Sequence, residues 1–214
     1  MKLILLFFLG ASIGSFLGVV IDRFPERSLL FPPSHCNRCK HPLKAWDLIP
    51  LLSQLSTHSK CRYCKGKIPY WYLLLESLSA ALVLLFSYQL VSLPQLLLLF
   101  LGLVLTIYDI KHQEYPFLVW LVLTFACLIL SQLNWLFCLF LLLAYLAEKW
   151  PRAIGSGDFL YLASLSLLLT GHQILWTIQI SSLLGIAVFF LFKIRSLPYV
   201  PFLFLASLIA GLLY

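Results

Sequence analysis

The sequence predicts an all-α polytopic membrane protein of about eight transmembrane helices with a small cytoplasmic insert, on three observations. Apolar residues make up 62% of the 214 and charged ones only 11%, with a mean hydropathy of +0.97, a balance far from that of soluble domains. Apolar runs recur at the length of a bilayer crossing, ~20 residues. Basic residues cluster in alternate connections, as the positive-inside rule requires.

Taken in order, the spans lie near 2–21, 71–91, 94–110, 116–133, 134–148, 158–170, 174–192 and 197–214, with Asn134 dividing the fourth from the fifth. The first is a retained helix rather than a cleaved signal: it holds glycines deep inside, begins with a single lysine and lacks a small-x-small site before Asp22. The loop after it carries nine basic residues, Arg23, Arg27, Arg38, Lys40, Lys44, Lys60, Arg62, Lys65 and Lys67. Lys111 follows the third span, Lys149 and Arg152 the fifth, Lys193 and Arg195 the seventh. Fourteen of the fifteen basic residues therefore share one side, which places both termini outside and the insert in the cytoplasm. The net charge of +7 is thus a topological signal and suits anionic lipid, not nucleic acid.

The domain organisation follows: 1–21 a first transmembrane helix, 22–70 an aqueous module, and 71–214 a membrane-embedded bundle. Prolines at 25, 32, 33, 42, 50 and 69 break any long helix in the module. Its Cys36-Asn-Arg-Cys39 and Cys61-Arg-Tyr-Cys64 pairs have the spacing of two knuckles closing on one tetrahedral ion. Four thiolates suit zinc and leave no open position, so the site is structural. Two disulfides are the alternative, disfavoured by a reducing cytoplasm. His35, His41 and His58 read as solvated loop residues, and Cys127 and Cys138 as small packing residues in apolar spans.

Two acids sit at span edges: Asp109, ending the third, and Asp158, opening the sixth. The topology puts both at one depth on the cytoplasmic side. Carboxylates that meet share a proton, and such a pair can activate water with one member while the other polarises a peptide carbonyl. Gly155 and Gly157 supply a turn that brings backbone close to an extended substrate. The plainer alternatives are an N-cap for Asp158 and a membrane-edge charge beside Lys111 for Asp109.

Together these residues resemble the type IV prepilin peptidases, the GxGD membrane aspartyl proteases that process pilins and pseudopilins. Gly14-Ser-Phe-Leu-Gly-Val-Val-Ile-Asp-Arg23 is similar to the family's opening GSFLNVVIYR, with Gly18 in place of Asn. Cys36 to Cys39, His41-Pro-Leu-Lys44, Ile49-Pro-Leu-Leu-Ser53 and Cys61 to Cys64 resemble its zinc-binding insert. Tyr108-Asp-Ile-Lys-His-Gln-Glu-Tyr-Pro116 and Gly155-Ser-Gly-Asp158 match its aspartate motifs, and Leu197-Pro-Tyr-Val-Pro-Phe202 its IPFGPFL. Departures are Phe117 after the motif proline, Leu48 before Ile-Pro, and Lys40 and Lys65 where glycine is frequent.

The resemblance implies a bacterial inner-membrane endopeptidase with Asp109 and Asp158 catalytic and Cys36, Cys39, Cys61 and Cys64 on zinc. It would remove a basic leader from prepilin or pseudopilin precursors at the cytoplasmic face, as in a competence or secretion pseudopilus. Many members then methylate the new N-terminus with S-adenosylmethionine, whose binding residues the sequence leaves unassigned. Because the leader is basic, Glu114 is the expected acidic contact. The rival classes are a proton- or cation-coupled transporter using the same aspartates and a non-enzymatic assembly scaffold docking through the cysteine module.

Overall fold

The computed structural model describes residues 1–150, 155–193 and 197–212. Among them are eight apolar helices of more than ten residues, in the order expected: α1 (Lys2–Arg23), α3 (Tyr70–Ser87), α4 (Leu93–His112), α5 (Phe117–Leu130), α6 (Trp135–Lys149), α7 (Ser156–Ser166), α8 (Gly171–Phe192) and α9 (Val200–Leu212). A short helix, α2 (Leu52–Ser56), and a 3-10 turn (Ala45–Asp47) lie in the insert. By length and composition α1, α3, α4 and α8 can each cross a membrane. Arg152 and Arg195, two of the charges used to orient the spans, lie outside the described residues.

The helix breaks have local causes. Asn134 does divide α5 from α6: its side chain accepts the Phe137 N–H at 2.8 Å as an N-cap and donates to the Ser166 carbonyl. Thr170 and Gln173 form a capping box that opens α8, so α7 ends sooner than its apolar run suggests.

Packing divides the chain into two units, 1–92 and 93–214. In the first, α1 lies along α3 with Gly10, Gly14 and Gly18 in the seam. A Cβ at Gly10 would stand 2.7 Å from Ala80 Cα, one at Gly14 2.8 Å from Glu76 Cα, and one at Gly18 3.2 Å from Tyr72 Cδ1. Glycine every fourth residue is thus what lets the two backbones touch, the small-residue packing typical of membrane helices. The spacing was readable in the sequence.

In the second unit α7 is central, touching α4, α5, α6, α8 and α9, with seven of its eleven residues buried. Polar groups tie it in: Trp120 Nε1 donates to Ser164 Oγ at 2.7 Å and to the Leu160 carbonyl at 3.0 Å, and the Thr124 hydroxyl sits 2.8 Å from Ser164 Oγ. A helix enclosed by others needs no lipid-length apolar surface, which accounts for its eleven residues.

Candidate metal centre and acid pair

The first unit gathers Cys36, Cys39, Cys61 and Cys64 so that all four sulfurs lie within 4.8 Å of one another. Each pair is held by the same knuckle. Cys36 N–H donates to the His41 carbonyl and Lys40 N–H to the Cys36 carbonyl, at 3.0 and 2.9 Å. Cys61 N–H and the Gly66 carbonyl, and Lys65 N–H and the Cys61 carbonyl, repeat this at 2.8 and 2.9 Å. Both turns need a left-handed residue, and Lys40 (φ 58) and Lys65 (φ 57) fill it where glycine would be unstrained.

All six cysteines are free thiols, and Cys36 Sγ and Cys64 Sγ stand 3.8 Å apart. That separation is the edge of a tetrahedron with metal–sulfur bonds of ~2.3 Å, so the donor set fits a closed four-sulfur metal site. Burial raises the Cys36 thiol, but N–H groups of Cys39 and Arg38 and the neighbouring sulfurs outweigh it and bring the pKa down to about 7. Asp47 binds both inner residues of the second pair: Arg62 Nε is 3.0 Å from its Oδ1, and the Tyr63 hydroxyl donates to its Oδ2 at 3.0 Å. The His41 ring packs at a tilt against Tyr63 with ring centroids 3.7 Å apart, joining one knuckle to the other. His35, His41 and His58 are not part of the cluster.

The second unit packs α4, which carries Asp109, against α7, which carries Asp158. Asp109 sits in the last turn of α4, and its Oδ2 accepts the Val200 N–H at the start of α9 at 3.0 Å. Asp158 is the third residue of α7 rather than its N-cap: Gly155 holds that position and accepts the Asp158 N–H at 3.2 Å. The capping alternative is therefore set aside.

The two motif glycines differ. Gly155 is exposed, and a Cβ there would find its nearest neighbour, Asp158 Oδ2, at 3.7 Å. Gly157 lies under the Tyr115 ring, which a Cβ would overlap. The Tyr115 hydroxyl is buried without a hydrogen-bond partner, as are those of Thr106 and Tyr161. Burial pushes the Tyr115 hydroxyl well above its ordinary range, with Tyr161 and Asp158 adding to the effect. Thr106 precedes Asp109 by three residues and Tyr161 follows Asp158 by three, so each shares its helix face with the acid. Sequence reasoning passed over Tyr115, Tyr161 and the Val200 N–H; Glu114, which it did select, is exposed. Among the described residues no binding residues for a methyl donor stand out.

The fold and these sites describe a polytopic helical membrane protein with a four-cysteine cluster and with Asp109 and Asp158 on packed helices. A family model described as the bacterial peptidase A24 N-terminal domain matches residues 8–90. The chain is 31% identical over 222 residues to the prepilin leader peptidase/N-methyltransferase of Neisseria gonorrhoeae, covering 83% of this chain and 78% of that one. To the protein of that name from Pseudomonas aeruginosa it is 30% identical over 261 residues, covering 94% and 87%. To that from Myxococcus xanthus it is 39% identical over 120 residues, 53% of this chain and 35% of the relative. No solved structure matches. The chain belongs to the prepilin leader peptidase/N-methyltransferase family.

Proposed function

We propose that this protein is a membrane aspartic endopeptidase that removes the leader from prepilin-like precursors at the cytoplasmic membrane face, using Asp109 and Asp158. The observation that carries this reading is that two helices bearing acids 49 positions apart in sequence, α4 and α7, pack together in a chain of this family. One carboxylate takes a proton from water as its oxygen attacks the scissile carbonyl, and the other, carrying the shared proton, donates to the carbonyl oxygen. Collapse of the tetrahedral adduct breaks the C–N bond: the first acid gives its proton to the leaving amine, and the second recovers one from a hydroxyl of the adduct, restoring the pair. No covalent enzyme intermediate forms.

The transporter alternative finds no support: both acids lie in the terminal turns of their helices rather than at mid-span. Zinc is the ion that best suits four thiolates, and it would cross-link a module whose own apolar core is small. The relatives' name joins N-methylation to proteolysis, and S-adenosylmethionine is the donor we assign to that second activity.

Asp109→Asn and Asp158→Asn should each abolish cleavage of a pilin-like precursor by purified protein in nanodiscs, because one carboxylate cannot act as base and acid in the same step. Near-normal turnover by either variant, inserted at wild-type levels, refutes the mechanism.

A further inference from the structure

Between the two cysteine pairs runs Leu48-Ile-Pro-Leu-Leu-Ser-Gln-Leu55, a stretch that belongs to the insert by sequence but not by depth. The α1–α3 seam supplies the ruler. At ~1.5 Å per residue, Ala11 is about 18 Å along α1 from Arg23, and Ala80 about 15 Å along α3 from Tyr70. Both are near the middle of a hydrocarbon core ~30 Å thick. Leu51 is buried in one cluster with Ala11 and Ala80, and Phe7 and Leu73 pack against it. Alanine has no reach, so the Leu51 side chain itself must descend to mid-helix level.

Irregular backbone survives at that depth only when protein satisfies its polar groups, and protein groups take up the N–H groups of Leu51 to Ser53 and of Leu55. The Leu51 N–H donates to Glu76 Oε2 at 2.7 Å, with Leu51 held at φ 62 and ψ −53. Ser53 and Leu55 N–H groups close on the Ile49 and Leu51 carbonyls at 3.0 and 2.9 Å, and Pro50 has no N–H to satisfy. Buried Gln54 donates to the Pro69 carbonyl at 3.2 Å and to Ser59 Oγ at 3.3 Å. A carboxylate inside a span usually has a task, and that of Glu76 is to accept this N–H.

The other side of the segment is apolar and open. Leu48, Ile49, Leu52 and Leu55 are 45%, 41%, 51% and 57% exposed, and Leu52 and Leu55 share one face of α2. Trp46, half-exposed with the Lys44 ammonium 5.5 Å from its ring, stands where an interfacial aromatic belongs. We propose that residues 48–55 form a re-entrant wedge entering the leaflet on the side of Arg23 and Tyr70. Leu51 is its peg between α1 and α3, and Leu48, Ile49, Leu52 and Leu55 face phospholipid acyl chains. The metal module is then fastened to the bilayer by three elements rather than two.

The test places p-benzoylphenylalanine at Leu52, at Leu55 and, as control, at exposed Lys60 in the full chain. The protein is irradiated in nanodiscs of phosphatidylethanolamine and phosphatidylglycerol and weighed intact. Phospholipid adducts at 52 and 55 exceeding those at 60 are the expected result. Adducts to a second copy of the chain or to an added precursor in place of lipid, or none beyond the control, overturn the proposal. Amide exchange provides a second reading: Glu76→Leu should speed exchange at Leu51 about tenfold or more by orphaning its N–H, whereas Glu76→Gln keeps an acceptor and much of the protection. Equal exchange at Leu51 in wild type and Glu76→Leu refutes the role of Glu76.

Discussion

Replacing Gly157 by alanine sets a single methyl against the Tyr115 ring, whose Cγ would be 2.7 Å and Cε2 3.0 Å away. Overpacking of this kind costs ~1–3 kcal/mol, more than the ~1 kcal/mol that alanine gains over glycine in a helix. Relief requires that Tyr115 move or that the first turn of α7, which carries Asp158, move instead. A displacement of ~1 Å at a reacting group costs on the order of a hundredfold in rate. Cleavage by Gly157→Ala should therefore fall by about ten- to a hundredfold, with the protein still folded. Gly155→Ala is the matched control. Its backbone lies at φ −69 and ψ 144 and its nearest contact would be 3.7 Å, so alanine fits there unchanged and turnover should stay within about twofold. Adding Tyr115→Ala to Gly157→Ala removes the obstructing ring and should restore part of the lost rate. The assay is initial-rate cleavage of a pilin-like precursor in nanodiscs, alongside thermal melting. Equal damage from the two alanines, or no relief in the double variant, would refute the steric argument.

Purified protein should hold about one zinc ion per chain by elemental analysis, and changing Cys36 and Cys39 to serine should release it and open residues 34–66 to protease, since two of four ligands are gone. Lys40→Gly and Lys65→Gly should each strengthen the module by about 1 kcal/mol by removing left-handed strain, read as slower loss of zinc to a chelator; faster loss would contradict the knuckle geometry. Glu114→Gln should slow cleavage of a lysine-rich leader more than that of a neutralised one, with the difference vanishing at 1 M salt, where screening acts within ~3 Å. Equal losses on both leaders at every salt concentration would remove Glu114 as a leader contact.

Apolar run length and charge made the helices legible, because lipid imposes length and the positive-inside rule imposes parity, and both are local properties of sequence. The cysteine cluster was legible for the same reason: each knuckle is made by residues within a few positions of one another. What escaped was contact at a distance. Nothing near Asp109 announces that an N–H 91 residues later will reach its carboxylate, and nothing in Ile49-Pro-Leu-Leu reveals a leucine clustered with alanines of two helices. Tyr115 over Gly157 is likewise a tertiary fact. The α1 glycines are different: the sequence reading uses them only as marks of a retained helix, yet their spacing of four is a local property of the sequence and places them on one face, the seam.

The hydrogen bond from Val200 to Asp109 also sets an order of events. A ribosome adding ~5–20 residues per second takes about 5 to 20 seconds to go from Asp109 to Val200. Throughout that interval the growing chain carries the first acid without the backbone donor that holds it. Asp158 is made within the same interval, so both acids precede the strand of chain that fixes one of them. If the proposed pair is the centre, a nascent protease of this design completes it only as α9 begins, after α4 to α8 have been made.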